Sequence, residues 1–351
     1  MKKIQTSLPA LRLAAVAAAL FAGFAGAAHA DAVSIYGVVD VFGEVGKGDK
    51  TEVSLSSGGL SGSRLGFAAD KDIGGGMKVL AKLETGISAD TGATGQGGRM
   101  WGRQAYAGFS GGFGSLTFGR QYTPQFLALD ANDPFETGAG STVSSGIVSI
   151  FGARADNSIV WASPSSNGVT ATAMVALGES STGSQTNGTL AALDLHYGTG
   201  PLGANLTVTS KKKLVDGGVN ASAVTLSGTY DLGKAKLMGG YQAVHNSTQA
   251  ADTADNRQEF FAGVQVPMGT DTLWVGGGAA KTTDVSGSSA KQFSLGWVHP
   301  LVKGADVYAV ASTVSNGDAT AYSTDTATAG GPAVSNGVSA KSLQVGFRYK
   351  F

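Results

Sequence analysis

The chain has 351 residues with 25 basic and 25 acidic side chains, no cysteine and 54 glycines. A neutral chain whose one basic run is Lys211-Lys212-Lys213 is excluded as a nucleic-acid binder, because that run reads as a strand end at a solvated loop. The lack of cysteine removes disulfide scaffolds and thiolate metal sites, and so many glycines disfavour long helices while suiting tight turns and crowded inner walls.

At the N-terminus, Lys2, Lys3 and Arg12 precede an apolar run from Leu13 to Phe24, followed by Ala28-His29-Ala30. This is the pattern of an export signal with a small-x-small cleavage site. It predicts removal of residues 1–30 and a mature domain over 31–351, with 22 basic against 25 acidic residues. The run is about half the length of a spanning helix, and no other stretch offers about 18 consecutive apolar residues. A helical membrane protein is therefore excluded.

Period-two alternation predicts strands at 32–43, 60–70, 77–87, 100–110, 114–122, 156–163, 168–177, 190–199, 201–211, 221–231, 234–245, 256–266, 272–281, 289–299, 304–314 and 341–351. Sixteen is an even number, as a bacterial barrel with both termini on one side requires. Short turns such as Asp72 to Gly76, Ser110 to Gly114 and Pro267-Met268-Gly269 alternate with longer polar connections. Short periplasmic turns and long external loops give that order in an outer-membrane barrel, and no fixed-period repeat of a solenoid is present. The fold class expected is an all-β transmembrane antiparallel barrel.

Parity separates two faces. Leu65, Phe67 and Ala69; Val79, Ala81 and Leu83; Leu193, Leu195 and Tyr197; Leu237, Gly239 and Tyr241; and Phe293, Leu295 and Trp297 are expected to face lipid. Their neighbours Arg64, Asp70, Lys78, Lys82, Glu84, Asp194, His196, Lys236, Gln242, Gln292 and Ser294 are expected to face water. A midplane charge on the lipid face costs roughly 2–4 kcal/mol, enough to set the facing of a strand. In the last strand Leu343, Val345, Phe347, Tyr349 and Phe351 alternate with wet residues that include Arg348 and Lys350. Tyr36, Tyr197, Tyr230, Tyr241, Trp297, Tyr349 and Phe351 are candidates for the interfacial aromatic girdles.

Ser34-Ile35-Tyr36-Gly37-Val38-Val39-Asp40, Ser63-Arg64-Leu65-Gly66-Phe67, Asp72-Ile73-Gly74-Gly75-Gly76, Arg103-Gln104-Ala105-Tyr106-Ala107-Gly108-Phe109, Phe118-Gly119-Arg120-Gln121 and Phe351 stand in an order that resembles the general diffusion porins of neisserial and betaproteobacterial outer membranes. The resemblance runs the whole mature length. It implies a sixteen-stranded homotrimeric barrel in the outer membrane of a Gram-negative cell, with a third external loop folded into the pore.

That loop corresponds to residues 123–155, the longest connection, which carries Asp130, Asp133 and Glu136. Thirty-three residues without evident structure point to function or disorder. Across from it, Arg64, Lys82, Arg103 and Arg120 lie six to eight residues from their short turns on four successive strands. At roughly 3.3 Å per residue and about 45° of tilt, they climb about 14–19 Å, near mid-membrane. Arg64 and Lys82 have clean inward parity. Arg120 shares parity with Leu116 and Phe118 and needs a bulge, or a wall away from lipid, to face inward. Arg154 resembles a further pore arginine of the family.

Five basic residues against Asp130, Asp133 and Glu136 predict a transverse field and a modest anion preference. The expected function is passive diffusion of ions and small hydrophilic solutes. Partners expected are outer-membrane lipid and lipopolysaccharide, further copies of the chain packed at Gly37, Ala105, Ala107 and Gly108, and the barrel-insertion machinery reading Phe351. No cofactor is expected.

Other chemistry is weaker. Asp130, Asn132 and Asp133 lack the glycine and distal glutamate of a calcium loop, and His196, His245 and His299 have no zinc spacing. Gly108-Phe109-Ser110-Gly111-Gly112 matches a nucleophile elbow but leads into a turn and a strand instead of a helix. An outer-membrane phospholipase and a substrate-specific channel are the alternatives, the second lacking an aromatic slide.

Overall fold

The structure, a computed structural model, describes residues 32–181, 183–216, 218–246, 255–283, 285–325 and 330–351. The export segment and Asp31 lie outside the described residues. The elements in chain order are β1 (Ala32–Lys47), β2 (Thr51–Ser57), β3 (Arg64–Gly74), β4 (Met77–Ser88), β5 (Ala93–Thr94), β6 (Gln104–Gly111), β7 (Gly114–Tyr122), α1 (Pro124–Asn132), β8 (Arg154–Ala162), β9 (Val169–Ala176), β10 (Leu190–Thr199), β11 (Leu202–Lys211), β12 (Ala221–Asp231), β13 (Lys236–His245), β14 (Arg257–Met268), β15 (Asp271–Thr282), β16 (Ala290–Val302), β17 (Ala305–Asn316) and β18 (Ala340–Lys350).

Sixteen of these strands form one antiparallel barrel, closed where β1 pairs with β18 from Val38↔Lys350 to Lys47↔Lys341. Every expected strand is present. β2 and β5 are additions, a short arm on the upper half of β1 and a two-residue pairing at the tip of β4. Closure leaves no sheet edge, the condition for strands to cross hydrocarbon. Phe351 extends the seam: its N–H and C=O both bond Gly37, at 3.1 and 2.9 Å.

The parity reading holds. Leu193, Leu195, Tyr197, Leu237, Tyr241, Phe293, Leu295 and Trp297 are exposed to the outside, whereas Asp194, Gln242, Gln292 and Ser294 are buried. Tyr36 departs from the girdle expectation. It faces inward, and its hydroxyl donates to Glu84 at 2.7 Å.

The two glycines expected to admit a neighbouring barrel do not offer outward space. The Phe351 ring covers Gly37, where an added Cβ would come within 2.3 Å of Phe351 Cζ. Gly108 lies on the inner parity, and a Cβ there would meet Leu116 O at 2.1 Å. Ala105 and Ala107 remain on the outer face.

Residues 123–153 are not structureless, as their length suggested. Pro124 at the first helical turn and Thr123 as cap, accepting from Phe126 N at 3.3 Å, start α1. Both residue types are preferred at those places because a first-turn N–H has no intrahelical acceptor. The segment is tied to inward residues of the strands by buried polar bonds, Gln125 to Gln242 at 2.9 Å, Asn132 to Asn205 at 3.0 Å and Gln292 to Gly140 O at 2.9 Å, and by a part-buried one from Gln265 to Pro134 O at 2.8 Å. Phe135 adds an apolar anchor among Phe42, Leu60, Trp274 and Tyr308, its ring edge-on to Trp274 at 5.8 Å.

Candidate functional site

Two arginines converge on one phenol, and a third lines the same cavity. Arg154 opens β8 opposite Tyr122 in the ladder; its Nη2 donates to the Tyr122 hydroxyl at 2.6 Å, and its guanidinium lies 4.2 Å over the ring. Arg103 gives Nη2 to the same hydroxyl at 2.6 Å and Nε to Glu84 at 2.9 Å. Strand parity would have sent Arg103 outward with Ala105. It sits one residue before β6, where its N–H still bonds Glu84 O at 3.1 Å but the paired register has ended, and its side chain turns in. Arg64 opens β3 on the inner parity, with Nε bonded to Gly62 O at 2.9 Å and no acidic partner at ion-pair distance among the described residues.

Glu84, only 1% exposed, also accepts from Tyr36 and, at 3.4 Å, from Gln104. A buried carboxylate is tolerated when paired and hydrogen-bonded in this way.

The acidic residues of the loop divide into two kinds. Asp130 stands in the last turn of α1, where the helix dipole disfavours a negative charge; burial raises its carboxyl above the usual range, and Thr137 donates to it at 2.5 Å. Glu136 is exposed. Asp133 departs from the expected aperture wall: it is buried beneath the loop and accepts from Ser141, from Phe135 N at 3.1 Å and from Thr137 N at 3.2 Å. Burial pushes its carboxyl up to about 6. It organises the turn.

Arg64, Arg103, Arg154 and Tyr122 face Asp130 and Glu136 across a cavity of ≈ 620 Å³. Lys82 is inward, as expected, but its ammonium lies 5.3 Å over the Tyr36 ring and does not line this cavity.

Arg120 is a correction. The ladder does skip between Gly119 and Gln121 against β8, yet Arg120 stays paired with outward Ala105. It bonds Gly102 O and Asp156, both at 2.7 Å, and Asp156 also binds Arg99 at 2.8 Å. The inward residue there is Gln121, bonded to Ser158.

Sequence reasoning missed Glu84 and Tyr122 as partners of the basic cluster. It also left out Arg348, which bonds Asp306 at 2.8 Å and Ser61 at 2.9 Å, although alternation in the last strand already marked its face as wet. His196 bonds Asn205 and His299 bonds Asp271. Among the described residues no group of three or more His, Cys, Asp or Glu could hold a metal ion.

A closed sixteen-stranded barrel with an apolar exterior and charged groups within defines the class of channel-forming outer-membrane proteins. The chain belongs to the Gram-negative porin family, whose model matches residues 14–319. It is 28% identical to outer membrane porin protein 32 of Delftia acidovorans over 96% of this chain and 99% of that protein. An outer membrane porin protein of Bordetella pertussis is likewise 28% identical, over 84% of this chain and 82% of its own length. Among solved structures, the anion-selective porin from Comamonas acidovorans superposes with a TM-score of 0.83 at 27% identity, covering 92% of this chain and all of that one. The protein is thus an outer-membrane porin with an ion-transport function.

Proposed function

We propose that the chain is a general diffusion porin with a modest anion preference, in which residues 123–153 narrow the pore and the Arg64, Arg103 and Arg154 cluster forms the basic wall of the constriction. The convergence of these arginines across from Asp130 and Glu136 carries the reading. Arg103 is neutralised by Glu84 and Arg120 by Asp156, while Asp133 lies beneath the surface. The charges left to act on a passing ion are Arg64, Arg154 and, nearer the short turns, Lys82, against Asp130 and Glu136. Three to two favours anions, and the apolar walls limit screening. The name of the anion-selective relative agrees with this sign. In a planar bilayer under a potassium chloride gradient, the reversal potential is expected to lie on the chloride side; a value on the potassium side overturns the preference.

The reading extends to assembly. Residues 1–30 are removed on export, and barrels associate as homotrimers in contact with outer-membrane lipid and lipopolysaccharide. Phe351, whose ring seals Gly37 and whose backbone extends the β1–β18 seam, is the residue recognised during insertion. Phe351→Ala is expected to lower the yield of heat-modifiable barrel several-fold while leaving export intact. Unchanged barrel yield would refute this role.

A further inference from the structure

The cavity beside the arginine cluster has an apolar wall that selection by charge alone does not require. Phe126 stacks on Tyr122, with centroids 5.1 Å apart and planes 8° from parallel. Phe126 is half-buried, and Leu127 beside it on α1 is 46% exposed although Pro124, Gln125, Ala128 and Leu129 are buried. Both line the same cavity as Arg64 and Arg154, as do Ile87 and Ile150. The lining thus combines cationic donors with an aromatic and aliphatic surface.

The donors are also incompletely used. The Tyr122 oxygen accepts from two guanidinium groups, which occupies its acceptor sites and leaves its own O–H without an acceptor among the described residues. Among the described residues Arg64 bonds through Nε alone, to Gly62 O. Arg154 commits Nη2 to Tyr122 and has no partner at Nη1 among the described residues. A carboxylate presents two oxygens with about four acceptor sites, matched to a guanidinium edge and an adjacent phenol. An inorganic anion would satisfy these donors equally and would gain nothing from Phe126, Leu127 and Ile150.

We propose that this cavity is a retention site for flat aromatic monocarboxylates, with the ring against Phe126 and Leu127 and the carboxylate on Arg64, Arg154 and the Tyr122 hydroxyl. The volume, ≈ 620 Å³, is in the range of small-ligand sites. This inference rests on the anion preference proposed above and adds a substrate class to it.

The test uses the intact porin in a planar bilayer in potassium chloride, with sodium benzoate or sodium acetate added and the concentration that halves the chloride current recorded for each. Benzoate is expected to act at a concentration at least about five-fold below acetate, the scale of one aromatic contact. Phe126→Ala is expected to bring the acetate-to-benzoate ratio to about 1 by the same reasoning; if that variant fails to assemble, Phe126→Leu serves, with a fall in the ratio still expected. A native ratio near 1, or one that survives loss of the Phe126 ring, overturns the site. Equal retention of cyclohexanecarboxylate overturns the assignment to flat rings. The reversal potential on the same membrane separates the two readings. Cation preference removes both, whereas anion preference without benzoate retention removes only this one.

Discussion

Glu84→Gln is expected to raise the chloride-to-potassium permeability ratio several-fold and to lower the temperature at which the barrel unfolds. Glu84 neutralises Arg103 through a 2.9 Å contact in a place where both side chains are almost wholly buried. Glutamine keeps the volume and can still accept from Tyr36, so the change is close to one of charge alone. Two unit charges about 8 Å apart interact by about 1 kcal/mol at an effective dielectric between those of a protein surface and water. Salt weakens that at physiological strength, yet it acts with opposite sign on anion and cation, leaving a factor of a few in the ratio. The stability loss arises because Arg103 remains buried beside Arg64 and Arg154 without a counter-charge, a defect of about 3–5 kcal/mol in other buried pairs. Reversal potentials and heat-modifiability measured on one preparation would check both effects. An unaltered permeability ratio would mean that Arg103 and Glu84 lie outside the field felt by the ion.

That ion pair also shows how far the chain could be read from residue types alone. Alternation located all sixteen barrel strands because each strand meets hydrocarbon on one side and the filled interior on the other, so a misplaced charge is costly wherever it falls. Leu193, Leu195 and Tyr197 against Asp194 and His196 need no tertiary information. Parity says least at the ends and irregularities of the ladder. Arg103 precedes its strand by one residue, so parity gave no guide to it. Arg120 stayed outward because the register skip at Gly119 and Gln121 re-aims the residues of β8 and not Arg120 itself. Charge counting treated every carboxylate alike, whereas Asp133 is spent on the Phe135 and Thr137 amides and Glu84 on Arg103. Those pairings join residues 19 or more apart in the case of Glu84 and lie within one loop turn in the case of Asp133; neither spacing carries a periodic signal. The helix α1 was legible in part, since Thr123-Pro124 is a start signal, but its weak apolar periodicity hid it.

The second large effect concerns what holds residues 123–153 in place, and Glu259 is the residue on which it turns. Its carboxylate, 1% exposed, accepts from Ser149 N at 2.8 Å, from Ser149 Oγ at 2.7 Å and from Gln242 Nε2 at 2.7 Å, and it pairs with Arg257 at 3.2 Å. Gln242 in turn bonds Gln125 on α1 and Ser149 O, while Arg257 bonds Ile147 O at 3.1 Å. One carboxylate therefore orients the donors that grip both limbs of the loop. Glu259→Ala strands Arg257 without its counter-charge, at about 3–5 kcal/mol by analogy with other buried pairs. The β13, β14 and β15 ladder keeps its backbone bonds, so the loss falls on the loop and not on the barrel. Single-channel conductance is expected to become larger and noisier, the anion preference to fall, and protease to cut within 123–153 at sites protected in the parent. Phe135 and its apolar contacts remain as a second anchor, so Glu259→Ala with Phe135→Ala is expected to exceed either change alone. Conductance and protease resistance that match the parent in the double variant would show that the loop does not set the width of the pore.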